Sequence, residues 1–198
     1  MRVMFVLGLS LLVTAGSLSG GMASDLRPDL FGPVGAPAPR PGLLSEFRLG
    51  LSAQDPWGPE SDSANLTGEI LFAKPFTTAD LFTSYFIPRP HIGGSVNFSG
   101  NTSFAYAGLT WTFDITPRVF IEGSFGGAIH NGETSAYTVP VGRAALGCSP
   151  LFRESGSIGV RLSANWSLLA TVEHLSNAGL CDQNRGLTNI GARVGYTF

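Results

Sequence analysis

The chain has 198 residues, a formal net charge of −2 and only 13% charged side chains. That length fits one domain, and neither the charge nor any basic stripe suits a nucleic-acid partner. With 26 glycines and 11% aromatics, it is too apolar for a disordered chain and low in charge for a soluble one.

Arg2 precedes a broken apolar stretch from Phe5 to Leu18, and Gly21-Met22-Ala23 offers the small residues that signal peptidase reads. Residues 1–23 are expected to form a signal peptide cleaved near Ala23. A retained anchor helix is the other reading, but Ser10, Thr14, Ser17 and Ser19 dilute the span, which is short for a bilayer core of ~30 Å. Residues 24–44 read as a periplasmic linker, because Pro28, Pro33, Pro37, Pro39 and Pro41 forbid helix and ladder alike.

From Ser45 onward the hydrophobic period is two. Phe47, Leu49 and Leu51 alternate with Glu46, Arg48, Gly50 and Ser52. Ile70 and Phe72 oppose Glu69; Leu109, Trp111 and Phe113 oppose Thr110, Thr112 and Asp114; Val119 and Ile121 oppose Glu122. Ile158, Val160 and Leu162 oppose Arg161; Leu168, Ala170 and Val172 oppose Thr171 and Glu173. The clearest case is the last, where Ile190, Ala192, Val194, Tyr196 and Phe198 oppose Asn189, Gly191, Arg193, Gly195 and Thr197. Strands are expected near 45–54, 65–74, 85–98, 103–114, 118–130, 151–163, 167–177 and 188–198, with no helix required.

Eight strands is an even count, and each is near the ~10 residues that cross a bilayer when tilted. The expected fold is all-β: an eight-stranded antiparallel transmembrane β-barrel over residues 45–198. Closure removes the strand edges that an open sheet would leave. Glu46, Arg48, Glu69, Glu122, Arg161, Glu173 and Arg193 would then fill a narrow lumen with ion pairs. The inverted alternative is a lipocalin-like barrel with the apolar set inside, and period alone does not separate the two. The terminal Phe198 favours the membrane form, since an aromatic end to an alternating last strand is the usual assembly signal of outer-membrane barrels.

With an even count both chain ends face the periplasm. The short connections 115–117 and 164–166 belong on that side, although 75–84 is long for a periplasmic turn. Segments 55–64, 131–150 and 178–187 are then extracellular, and they place Cys148 and Cys181 in neighbouring loops. Downstream of an export signal the two can pair, for roughly 3–4 kcal/mol of loop-closure entropy. Two free thiols are the other reading. His91 and His130 lack metal-ligand spacing, and Trp57, Trp111 and Trp166 suit an interfacial belt. No metal or organic cofactor is expected.

Counting by two from Leu168 along the seventh strand reaches His174 and then Ser176. Both are expected to project outward at the extracellular rim, level with the outer leaflet. A neutral imidazole can take a serine proton and make the hydroxyl a nucleophile for an ester. Asn177 and the backbone of the Asn177-Ala178-Gly179 turn are candidate oxyanion donors. Spacing alone suits an interfacial histidine and a loop-start serine equally well; the lipid-facing position points instead to a lipid ester, as in lipid A.

The string His174-Leu175-Ser176-Asn177-Ala178-Gly179-Leu180, followed by Asn184 and Gly186, resembles the signature of the lipid A 3-O-deacylases, the PagL-type outer-membrane acyloxyacyl hydrolases. The resemblance implies an eight-stranded barrel with a lipid-facing Ser–His–Glu triad and lipid A of lipopolysaccharide as substrate. It implies His174 as base, Ser176 as nucleophile, and Asn177 with nearby backbone as oxyanion hole. At the position of the triad glutamate this chain has Thr188, which can accept a hydrogen bond but carries no charge. Asp182, Asn184 and Asn189 are the candidate substitutes. The alternative to an esterase is a non-catalytic small barrel with an envelope-structural or surface-interaction role; a pore is a third reading, opposed by the charged lumen. A homodimer that hides the lipid-facing site is left open.

Overall fold

A computed structural model describes residues 42–135 and 137–198. The expected signal peptide and the linker up to residue 41 lie outside the described residues. The strands are β1 Leu44–Gln54, β2 Ser63–Phe72, β3 Arg89–Asn97, β4 Phe104–Asp114, β5 Val119–His130, β6 Leu151–Arg161, β7 Trp166–Ser176 and β8 Leu187–Thr197. They form one closed barrel in sequence order, each antiparallel to its neighbours, with β1 also paired to β8.

One correction concerns the third strand. A short helix, α1 (Leu81–Phe86), occupies part of the connection and the first residues of the expected strand. Asp80 caps it, its carboxylate accepting from the Thr83 backbone N–H at 2.7 Å. Pro88 then turns the chain, since the residue before a proline disfavours helical angles, and Ile87 is extended. The helix leaves Leu81, Phe82 and Phe86 exposed, and the Trp111 indole donates to the Phe86 carbonyl at 3.2 Å. Such a rim-side aromatic cluster suits the interface of a bilayer.

Alternation holds around the wall. Phe47, Leu49, Leu51, Leu66, Ile92, Val96, Leu109, Ile121, Ile158, Leu168, Val172 and Val194 face outward and are exposed. The lumen is charged and closed. Arg48 reaches Glu46 (2.8 Å), Glu122 (2.7 Å) and Glu69 (3.3 Å). Arg89 joins Glu46 at 2.8 Å and Glu122 at 2.9 Å. Arg193 bridges Glu69 and Glu173, each at 3.2 Å, and Arg153 meets Glu173 at 2.7 Å while lying 3.7 Å over the Tyr106 ring. Four carboxylates and four guanidiniums thus form one continuous neutral network. Burial of such ions is tolerated only because each has a partner of opposite sign. The expected inward set is all here; Arg89 and Arg153 are additions to it, and Arg161 sits at the turn end, 2.6 Å from Asp114.

Above the ion-pair layer, at the loop end, an apolar cap closes the barrel. Phe104, Tyr106, Ala128, Leu151, Leu175 and Leu187 from the strands pack with Ala144 and Leu146 of the 131–150 loop. Buried Glu60 ties three loops together: it accepts from Gln54, from the Thr102 N–H and hydroxyl (2.9 and 2.8 Å), and from the Ala144 N–H at 3.1 Å. The turn end is open instead, with a cavity of about 650 Å³ bordered by Glu46, Lys74, Arg89, Glu122 and Trp166.

Candidate active site

Strand β7 carries the site. Glu173 and Leu175 are buried inside the barrel, so His174 and Ser176, of opposite parity, stand on the outer wall. The register sets His174 opposite Thr188 on β8 and opposite Glu154 on β6, and Ser176 opposite Phe152. His174 Nδ1 is 2.8 Å from the Thr188 hydroxyl oxygen. The Ser176 hydroxyl makes no hydrogen bond to any described residue. Phe152, beside it, stacks on Phe125 at 5.9 Å and lays an apolar floor along the wall.

Gly186 backs the imidazole. Its φ is +69°, and a Cβ there would come within 2.8 Å of His174 Cε1. Only glycine meets both conditions.

The turn after Ser176 is left-handed at Ala178 (φ +53°) and Gly179 (φ +78°). Asn177 builds it from within. Its side-chain amide donates to the carbonyls of Leu146 (2.8 Å) and Gln183, and its Oδ1 accepts from the Gly179 N–H at 2.8 Å. Its own N–H is taken by Asn184 Oδ1 at 3.0 Å. The expectation that Asn177 and Gly179 donate directly to an oxyanion is therefore corrected: an amide nitrogen has two hydrogens, both already given to carbonyls, and the Gly179 N–H is equally committed. Of the three turn residues only the Ala178 N–H has no acceptor among the described residues, and it is exposed.

The turn is also braced from the next loop. Cys148 and Cys181 are joined in a disulfide, with Cα atoms 6.2 Å apart, and the Arg185 N–H donates to the Ala145 carbonyl at 3.0 Å. The site thus rests on the same 131–150 segment that caps the barrel.

The proposed substitutes for the missing acid do not reach the imidazole. Asn189 is inside the barrel, donating to Glu173 at 3.3 Å. Asn184 is spent on Asn177, and Asp182 is exposed in the loop without an ion pair to His174. The acid that does share the face is Glu154, which sequence reasoning missed; counting back by two from Ile158 finds it. No cluster of three or more His, Cys, Asp or Glu able to hold a metal occurs among the described residues. The largest cavity lies at the opposite end of the barrel, so the candidate site is an open wall facing lipid.

A family model described as lipid A 3-O-deacylase (PagL) matches residues 49–197. The chain belongs to this family. Among solved structures it is similar to the outer membrane enzyme PagL, at 19% identity and TM-score 0.60, covering 78% of this chain and 100% of that one. It is also similar to the N-terminal β-barrel domain of Pseudomonas aeruginosa OprF, at 12% identity and TM-score 0.53, covering 79% and 98%. At these identities the two structures speak for the fold alone. No curated protein matches significantly.

Proposed function

We propose that this family member is an outer-membrane serine esterase that removes an ester-linked 3-hydroxyacyl chain from lipid A. The observation that carries the reading is the placement of His174 and Ser176 together on the lipid-facing wall at the loop rim, with Thr188 holding the ring. Export would follow from the signal peptide ending near Ala23, with residues 24–44 left as a periplasmic lead-in.

With its proton on Nδ1 donated to Thr188, His174 presents the Nε2 lone pair as base. Ser176 Oγ attacks the acyl carbonyl as its proton passes to Nε2. The carbonyl oxygen becomes an oxyanion, which the Ala178 N–H is free to meet. Collapse expels the sugar oxygen, which takes the proton from the imidazolium, and leaves an acyl-serine. Water then gives a proton to Nε2 and attacks the acyl carbon. The 3-hydroxy fatty acid departs, and Ser176 recovers its hydrogen. Phe152 and Phe125 offer the departing chain an apolar path. Asn177 shapes the turn that aims the Ala178 N–H.

The test is mass spectrometry of lipid A from a host expressing the protein or its Ser176→Ala variant. Loss of one hydroxyacyl chain with the wild type, and retention with the variant, is the expected result. Equal lipid A in both strains overturns the esterase reading. A second, non-catalytic reading is favoured by Thr188 in the acid position and by a Ser176 hydroxyl not bonded to His174. Under it the wild type is silent and Thr188→Glu switches on deacylation.

A further inference from the structure

The eight strands contain six acids, and five of them (Glu46, Glu69, Asp114, Glu122 and Glu173) have the parity of the lumen. Glu154 alone faces outward. It is exposed, flanked in register by Phe125 on β5 and His174 on β7, and makes no hydrogen bond or ion pair among the described residues. An unpaired carboxylate on a lipid-facing wall is unfavourable and demands a reason. Its neighbour supplies one. Directly opposed residues of an antiparallel pair have Cβ atoms about 5 Å apart, so a glutamate arm easily reaches the edge of the imidazole.

We propose that Glu154 supplies the negative charge that Thr188 lacks, so that the two duties of a triad acid are divided between strands on either side of β7. Thr188 orients the ring from β8. Glu154 compensates the imidazolium from β6 when Ser176 gives up its proton. The division follows from chemistry: a hydroxyl holds a tautomer, but only an anion stabilises a cation through space. Glu154 is a positioning residue, since it acts on His174 and leaves the ester untouched. The inference rests on the esterase reading above.

Steady-state deacylation of lipid A micelles by the full-length protein tests it, with kcat and KM read separately. Glu154→Gln keeps the shape and removes the charge. It should lower kcat about 100-fold, or about 2.7 kcal/mol at 1.36 kcal/mol per tenfold, and leave KM within about twofold. Glu154→Asp should keep at least about a tenth of wild-type kcat. The double variant Glu154→Gln/Thr188→Glu should recover most of the loss, because the charge returns from the other strand; a purely structural role for Glu154 would not be rescued that way. The shift in gel mobility on heating reports whether each barrel is folded. An unchanged kcat in Glu154→Gln, a loss confined to KM, or a double variant no better than the single one overturns the proposal. If Ser176→Ala turns over as fast as the wild type, or the wild type is inert, the esterase reading itself falls. If Ser176→Ala is dead while Glu154→Gln is untouched, only the role of Glu154 falls.

Discussion

Nδ1 of His174 lies 2.8 Å from Oγ1 of Thr188, across the β7–β8 ladder. A residue from the last strand thus holds the candidate base in place, with a hydroxyl where the family pattern has a carboxylate. Thr188→Val keeps the shape and removes the acceptor. Losing one hydrogen bond of about 1–1.5 kcal/mol should lower kcat/KM about tenfold. Thr188→Glu should raise kcat above wild type. Deacylation rates on lipid A micelles check both.

Gly186 makes a sharper prediction. An alanine there combines a left-handed backbone angle with a methyl group 2.8 Å from His174 Cε1. The ring must move, and a misplacement of about 1 Å costs about 100-fold in rate. Gly186→Ala should therefore abolish most turnover while the heat-modifiable gel shift of the barrel persists.

Asn177 should act at a distance. Asn177→Ala strips donors from the Leu146 and Gln183 carbonyls and the acceptor from the Gly179 N–H. Leaving such groups unpaired costs about 1–3 kcal/mol each, less where water enters. The expected outcome is a loosened 131–150 loop, seen as faster proteolytic nicking there, together with reduced deacylation.

The lumen predicts stability. Arg48 touches Glu46, Glu69 and Glu122, and Arg48→Met strands three carboxylates in a closed interior. Removing one partner of a buried ion cluster typically costs about 3–5 kcal/mol. The urea midpoint for unfolding from lipid vesicles should fall accordingly, with little effect on the geometry of the outer wall.

The disulfide closes 33 residues between Cys148 and Cys181. Chain entropy puts its removal at about 3–4 kcal/mol. The Cys148→Ser/Cys181→Ser variant should unfold at lower urea concentration and deacylate more slowly, since the site loop loses one of its two ties to the barrel cap.

The barrel was legible because alternation is a local, two-residue rule. Phe47 to Ser52 and Asn189 to Phe198 announce their faces without any knowledge of neighbours. The same rule placed His174 and Ser176 on the outer wall, and the even strand count brought Cys148 and Cys181 together. What escaped was non-local. The commitment of the Asn177 amide depends on a carbonyl 31 residues away, at Leu146. Helix α1 depends on a cap at Asp80 that competes with an apolar run suited equally to a strand. Glu154 was within reach of the counting rule, but a lone acid in a Gly- and Ser-rich strand carries no motif to draw attention.

Strand parity ties the fate of the site to that of the plug. On β7, Glu173 belongs to the interior ion network and His174 to the outer wall. Inserting one residue before Glu173 would slip the remainder of the strand by a single position and exchange the two faces. The carboxylate would meet hydrocarbon, the imidazole would enter the ion-pair layer, and Arg153 and Arg193 would lose their shared anion. A change that silences the site by this route would also unmake the protein, so only side-chain substitution leaves a folded barrel without a reactive pair.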